Sequence, residues 1–245
     1  MRFFDCNCAL GMPGPRGLRY ARSVAALREE IEFCGIERAL VYHTAQRFDS
    51  PITGNPLLIK ELEADPAFTP VWTILPSQTC ELAPPEDLLR QMKEQGVRAV
   101  RVFPDEHRYA LNALTLGDWL ALLQERRIPL LAKTSVLKIA DILQSFPDLV
   151  VVAMEQGPHS LERYLRPVVE RYPNFYIDTS SYISDGLIEA FCKRYGPSRL
   201  LFGSGYPDDC SGAALLRLAQ AEILAEHKQQ IAAENLERIL NEARL

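Results

Sequence analysis

Residues 128–154 contain the apolar run IPLLA (128–132), the stretch SVLKIADILQSF (135–146) and the apolar run LVVVAM (149–154). The middle stretch repeats apolar residues at helical spacing, and the two flanking runs are short and continuous. Continuous apolar runs are how parallel strands covered on both faces read. The 27 residues therefore predict one strand–helix–strand unit. Similar runs lie on both sides: RFFDC (2–6), RALVY (38–42), PVWTIL (70–75), VRAVRVF (97–103), NFYID (174–178) and RLLFG (199–203). The eight starts are 36, 32, 27, 31, 21, 25 and 25 residues apart, enough in each interval for a strand, a loop and a helix. Helices are predicted over 23–34, ending at Gly35, and over 85–95, ending at Gly96. Others are predicted over 115–126, 135–146, 160–171, 212–227 and 229–242. Eight repeats in 245 residues predict an α/β fold: a single (β/α)8 TIM barrel over 1–245, with a closed parallel eight-stranded sheet and outer helices. The other arrangement, a doubly wound open sheet, needs a glycine-rich phosphate loop. The stretch from Gly11 through Gly14 to Gly17 has neither spacing for one.

Composition removes several function classes. With Lys plus Arg at 27 and Asp plus Glu at 32, the net charge is −5, and no basic patch stands out. No nucleic-acid partner is expected, because such binding leans on clustered positive charge. No run approaches the length of a membrane span, and the start MRFFDCN lacks a basic region followed by an apolar one. A cytoplasmic chain with six reduced cysteines is expected, since the close pair Cys6 and Cys8 lacks the redox spacing. Only four histidines are present, at 43, 107, 159 and 227.

In a barrel of this kind the reacting groups come from the C-terminal ends of the strands. Those ends carry Asp5, Asn7, His43, Arg101, Phe103, Lys133, Glu155, His159 and Asp178. Alternation puts Asp5, Asn7 and Ala9 on one face of the first strand, and Cys6 and Cys8 on the other. Lys133 and Glu155 follow adjacent strands, so their side chains are expected to meet. The pair reads either as charge stabiliser and proton carrier, with Asp5 as a further acid or base, or as an ion pair closing the barrel top. Arg101 is suited to clamp a carboxylate or to pair with Asp5 or Asp178, and Phe103 shares its face. Asn7, His43, Arg101, Phe103, His159 and Asp178 form the expected substrate-binding set. His43, His107 and His159 follow the second, fourth and sixth strands, which are not neighbours.

At these strand ends the chain resembles the amidohydrolase-2 family of metal-dependent hydrolases and decarboxylases. The resemblance runs through Phe3–Gly11, Gly96–Pro104, Ile128–Thr134, Val151–Gly157, Pro173–Ser180, Leu200–Pro207 and Ile231–Leu240. It implies a (β/α)8 barrel with a metal centre at its mouth. The positions that would carry that centre are altered: Asn7 and Ala9 replace two histidines, Lys133 and Glu155 replace one each, and Gly205 replaces an aspartate. Zinc needs three or four converging His, Cys or carboxylate ligands, and this set does not supply them. No metal at the inherited position and no other cofactor are therefore expected.

Three functions remain open on the sequence. One is a hydrolase or lyase acting without the usual metal on a small carboxylated, ester or amide substrate. Another is a catalytically silent relative kept as a binding or assembly subunit. A third is an enzyme with a displaced metal on Cys8, His43, Asp208 or Cys210. Homo-oligomer formation is left open, with the aromatic-bearing stretch 47–55 read as a lid or an interface.

Overall fold

The computed structural model describes residues 1–12, 20–63, 65–157 and 162–245. The strands are β1 (Phe4–Leu10), β2 (Arg38–His43), β3 (Phe68–Pro70), β4 (Trp72–Thr73), β5 (Val100–Val102), β6 (Leu130–Ala132), β7 (Val151–Ala153), β8 (Phe175–Asp178) and β9 (Leu200–Leu201). All pairings are parallel, in the orders β1-β2-β3 and β4-β5-β6-β7-β8-β9. β3 and β4 are two parts of one barrel strand, because Val71 between them donates to the Val41 carbonyl at 2.9 Å. The seam between first and last strands is closed by Cys6 N–H to Phe202 O at 2.9 Å and Ala9 N–H to Tyr206 O at 3.0 Å. Eight barrel positions result, as expected.

The helices are α1 (Val24–Phe33), α2 (Thr44–Phe48), α3 (Pro51–Leu62), α4 (Pro85–Glu94), α5 (Ala113–Arg126), α6 (Val136–Ser145), α7 (Glu162–Arg171), α8 (Leu187–Tyr195), α9 (Ser211–Gln220), α10 (Ala225–Gln229) and α11 (Asn235–Asn241). The stretch 47–55 is not an open loop. Ser50 caps α3 by accepting from Ile52 N–H, and Pro51 opens it with a preset φ. The continuous helix expected over 212–227 is broken at Ala221, where ψ reaches 134°. A π-helical turn, Gln230–Glu234, precedes α11 within the expected 229–242 helix. The predicted start of the 160–171 helix lies outside the described residues. No helix among those described is long and apolar enough to cross a membrane.

Two apolar layers result from strand alternation. Val100, Val102, Leu130, Ala132, Val151 and Ala153 face the helices. Phe4, Leu40, Tyr42, Val71, Phe103, Leu131, Val152, Met154, Tyr176 and Leu201 fill the lumen. Ala233, Leu236, Ile239 and Leu240 join the lumen layer, so the C-terminal segment plugs the end opposite the strand-end loops. One expectation about β1 is corrected. Asp5 pairs with Ala39 and Cys8 with Val41, so three residues of β1 span two of β2. This bulge breaks the alternation: Cys6 packs in the lumen with Phe4 and Ala9, while Cys8 lies in the outer layer.

Candidate active site

The bulge turns Asn7 into the barrel mouth, where it joins side chains from β5, β7 and β8. Arg101 is central. Its neighbours Val100 and Val102 pack outward, so its own side chain, 1% exposed, must point into the lumen. The guanidinium lies 4.3 Å from the Tyr42 ring and 5.1 Å from the Phe103 ring. It donates to Asn7 Oδ1 at 2.9 Å and to Glu155 Oε1 at 3.3 Å. An unpaired guanidinium at this depth would be costly, and these contacts offset the cost.

Glu155 follows β7 with φ +53, a left-handed backbone that a non-glycine residue adopts at some strain. Its Oε2 meets the Lys133 ammonium, and its Oε1 also accepts from Asn7 Nδ2 at 3.3 Å. Burial pushes its carboxyl up, but Arg101 and Lys133 beside it hold it below the ordinary value. Asp178, at the end of β8, collects donors: Ser180 N–H at 2.8 Å on Oδ1, and Ser180 O–H at 2.6 Å, Asn7 Nδ2 at 2.9 Å and Glu155 N–H at 3.2 Å on Oδ2. Burial nevertheless raises its pKa, against the hydrogen bonds from Ser180 and with help from the Glu155 charge. A Cβ on Gly203 would lie 1.9 Å from Asp178 Oδ1, so this carboxylate fits only because position 203 has no side chain.

Asp5 stands apart from that cluster. Its Oδ1 accepts from Asn7 N–H at 2.8 Å and Ser204 N–H at 2.9 Å, bracing β1 against the segment after β9. Its Oδ2 has no partner among the described residues, and burial pushes its pKa up to about 6. Asp5 and Asp178 are both fully buried, whereas Glu155 and Lys133 keep 17% and 19% of their side chains exposed. These two line a cavity of about 580 Å³ with Asp105, Glu106, Thr134 and Met154.

The structure thus brings together Asn7, Arg101, Phe103, Lys133, Glu155 and Asp178, with Asp5 behind them. His43 is not in the group. It caps α2 by accepting from Ala45 N–H at 3.0 Å through Nδ1, and its Nε2 lies 3.5 Å from Glu61. His107 sits edge-on to Phe103, ring centres 5.9 Å apart. His159 lies outside the described residues. Sequence reading missed Ser180, Tyr42 and Arg47. Ser180 was accessible as the hydroxyl two residues beyond a strand-end aspartate, and Tyr42 as the inward alternate of Leu40. Nothing local marks Arg47, which matters only through residues distant in sequence.

A divalent cation does not fit this mouth. Asn7 turns its oxygen to Arg101 and its N–H groups to Asp178 and Glu155, and Lys133 and Arg101 present only N–H donors. Ala9 and Gly205 supply no ligand atom. Among the described residues no group of three or more His, Cys, Asp or Glu side chains is arranged to hold a metal. The set Cys8, His43, Asp208 and Cys210 is not such a group either: Cys8 lies in the outer layer and Cys210 on the surface.

The family model described as Amidohydrolase matches residues 21–244. The chain belongs to the amidohydrolase family. The match begins after β1, the strand carrying Asn7 and Ala9. A search of the curated proteins finds no match. Among solved structures, the chain is similar to dihydroxybenzoic acid decarboxylase from Polaromonas sp. JS666 with bound manganese and 2-nitroresorcinol (16% identity, 98% and 97% of the two chains covered, TM-score 0.76). It is similar also to 2,6-dihydroxybenzoate decarboxylase from Rhizobium (16% identity, 98% of each chain, TM-score 0.75). An uncharacterized TIM-barrel protein from Bordetella bronchiseptica shares 18% identity over 99% of each chain, with a TM-score of 0.74. At these identities the likeness shows the fold: an amidohydrolase-family barrel without the family's intact metal site.

Proposed function

We propose that this family member is a hydrolase or lyase that acts on a small carboxylated molecule at the barrel mouth, with Lys133 supplying positive charge where its relatives hold a metal. The observation that carries the reading is the Lys133–Glu155 pair lining the 580 Å³ cavity, with Glu155 held there by a left-handed backbone. Strain of that kind is retained where the surroundings demand a side chain in one place. The likeness to decarboxylases of dihydroxybenzoates supports a carboxylated ligand.

In a hydrolytic cycle, Glu155 takes a proton from the attacking water and returns it to the leaving group. Lys133 donates hydrogen bonds to the oxygen that becomes negative. Glu155 reaches the cavity, whereas Asp178 in the cluster and Asp5 behind it hold Asn7 and the backbone in place. Arg101 lies behind the cavity and holds Glu155 through Oε1. The test is turnover of carboxylated aryl esters, lactones and 2,6-dihydroxybenzoate, followed by Lys133→Met and Glu155→Gln. Each variant is expected to lower kcat/KM at least about 100-fold. Full activity in both variants rules the roles out.

A second reading, a binding subunit without turnover, is favoured by the internal pairing of Arg101, Lys133 and Asp178. Ligand binding by calorimetry without turnover of any of these compounds would select it.

A further inference from the structure

Beside the Lys133–Glu155 pair, three donors from different barrel loops converge on one carboxylate. Tyr20 O–H donates to Asp208 Oδ1 at 3.0 Å, and Arg47 Nη1 to Asp208 Oδ2 at 3.1 Å. Lys133 Nζ lies 4.0 Å from the same Oδ2. Tyr20 follows β1, Arg47 lies in α2 after β2, and Lys133 follows β6, so only the folded barrel mouth assembles them.

Two of the donors, Arg47 and Lys133, are largely buried, and the acceptor is not. Arg47 is 13% exposed: its Nε donates to Glu106 at 2.7 Å, and the guanidinium lies 4.6 Å from the Phe48 ring and 5.6 Å from Phe103. Stacking and a second partner thus hold it in one orientation. Asp208 is 44% exposed and sits in a turn where Asp209 and Cys210 are also exposed. An ordinary surface ion pair has two mobile ends; here an exposed turn residue delivers its carboxylate to partly buried donors.

We infer that Tyr20, Arg47 and Lys133 form an anion subsite for a carboxylate of the ligand, and that Asp208 occupies this subsite as an internal stand-in. Asp208 then acts as a competitor that an incoming carboxylate displaces. The inference rests on the reading above that the ligand is a small carboxylate. It adds where that group docks and what keeps the subsite filled in its absence. The Asp208 side chain shows the arrangement the ligand would reproduce: one oxygen to a phenol, the other between a guanidinium and an ammonium.

The experiment is calorimetric titration of acetate, succinate, benzoate and 2,6-dihydroxybenzoate into the wild-type protein, Asp208→Ala and Asp208→Asn. Both variants are expected to bind the preferred carboxylate at least about ten-fold more tightly, since no internal anion competes. Adding Arg47→Gln or Tyr20→Phe to Asp208→Ala should remove that gain. Melting curves confirm that each variant is folded. The use of two replacements, and of double variants measured against Asp208→Ala, keeps the test independent of any one protein's stability. Wild-type binding that Lys133→Met abolishes, with no tightening in either Asp208 variant, overturns the subsite and leaves the proposed function standing. If neither wild type nor the Asp208 variants bind any of the four, both readings fall.

Discussion

Glu155 is shared between two cations, with Oε2 against the Lys133 ammonium and Oε1 3.3 Å from the Arg101 guanidinium. The two cations are not equivalent, because Lys133 is 19% exposed and Arg101 only 1%. Removing either partner of Glu155 therefore has a different consequence from removing Glu155 itself.

Glu155→Gln leaves a buried guanidinium without its counter-charge, a change that costs about 3–5 kcal/mol when a buried pair is broken. Lys133→Met leaves Glu155 paired with Arg101, and about 1 kcal/mol is expected. Urea denaturation of the two variants should give that order. Equal losses would mean that Arg101 does not depend on Glu155.

Acid titration should separate Asp5 from Glu155. Burial raises Asp5 from 3.8 to about 6 in the fold, so between those values the folded state holds more protons than the unfolded. This group's contribution to stability falls as pH rises through that window, by about 3 kcal/mol at 1.36 kcal/mol per unit. Glu155 is shifted downward, so its contribution is present above the unfolded value and is lost as pH falls through the folded one. Asp5→Asn is expected to flatten the fall in stability between pH 4 and 6. An unchanged profile in that variant would place the titration elsewhere.

Gly203→Ala is expected to destabilise the fold by about 2–4 kcal/mol, because the added Cβ falls on Asp178 Oδ1 and this packed core leaves it no room to relax. Gly205→Asp, which restores the family's residue, meets φ +70 and would put its Cβ 2.7 Å from Asp209 Oδ2. A loss of about 1–3 kcal/mol is expected there. A thermal melt of each variant decides, and wild-type stability in either would mean that the strand-end backbone yields easily.

Chelation is expected to leave the melting temperature unchanged, and elemental analysis of protein purified without chelator should find no stoichiometric divalent ion. The reason is the donor set: Arg101 and Lys133 offer only N–H groups, Asn7 turns its N–H groups to Asp178 and Glu155, and its oxygen already accepts from Arg101. A tightly held zinc whose removal lowers the melting temperature would contradict this.

Much of the fold was legible along the chain because barrel strands carry their signal locally. Runs such as 128–132 and 149–154 are apolar on both faces, and each pairs with a neighbour supplied by the next repeat. The meeting of Lys133 with Glu155 was readable for the same reason, since β6 and β7 adjoin. The helices α2 and α3 were missed because Pro51, Gly54 and Pro56 read as loop chemistry. In the folded chain Ser50 caps α3, while Gln46 and Asn55 bond to each other at 2.8 Å beneath it.

The order of hydrophobic runs and the residue types at their ends were sufficient for the barrel and its polar mouth, and the family resemblance added the altered ligand positions. Side-chain direction was not. The β1 bulge sends Cys6 and Cys8 to different layers and turns Asn7 inward, and it is visible only in the pairing of β1 with β2. The grouping of Tyr20, Arg47, Lys133 and Asp208 depends on closure of the whole sheet, which brings the loops after β1, β2, β6 and β9 to one rim. Spacing along a chain encodes periodicity, which a single inserted residue can reset; convergence across a barrel is set by long-range hydrogen bonding that no local pattern records.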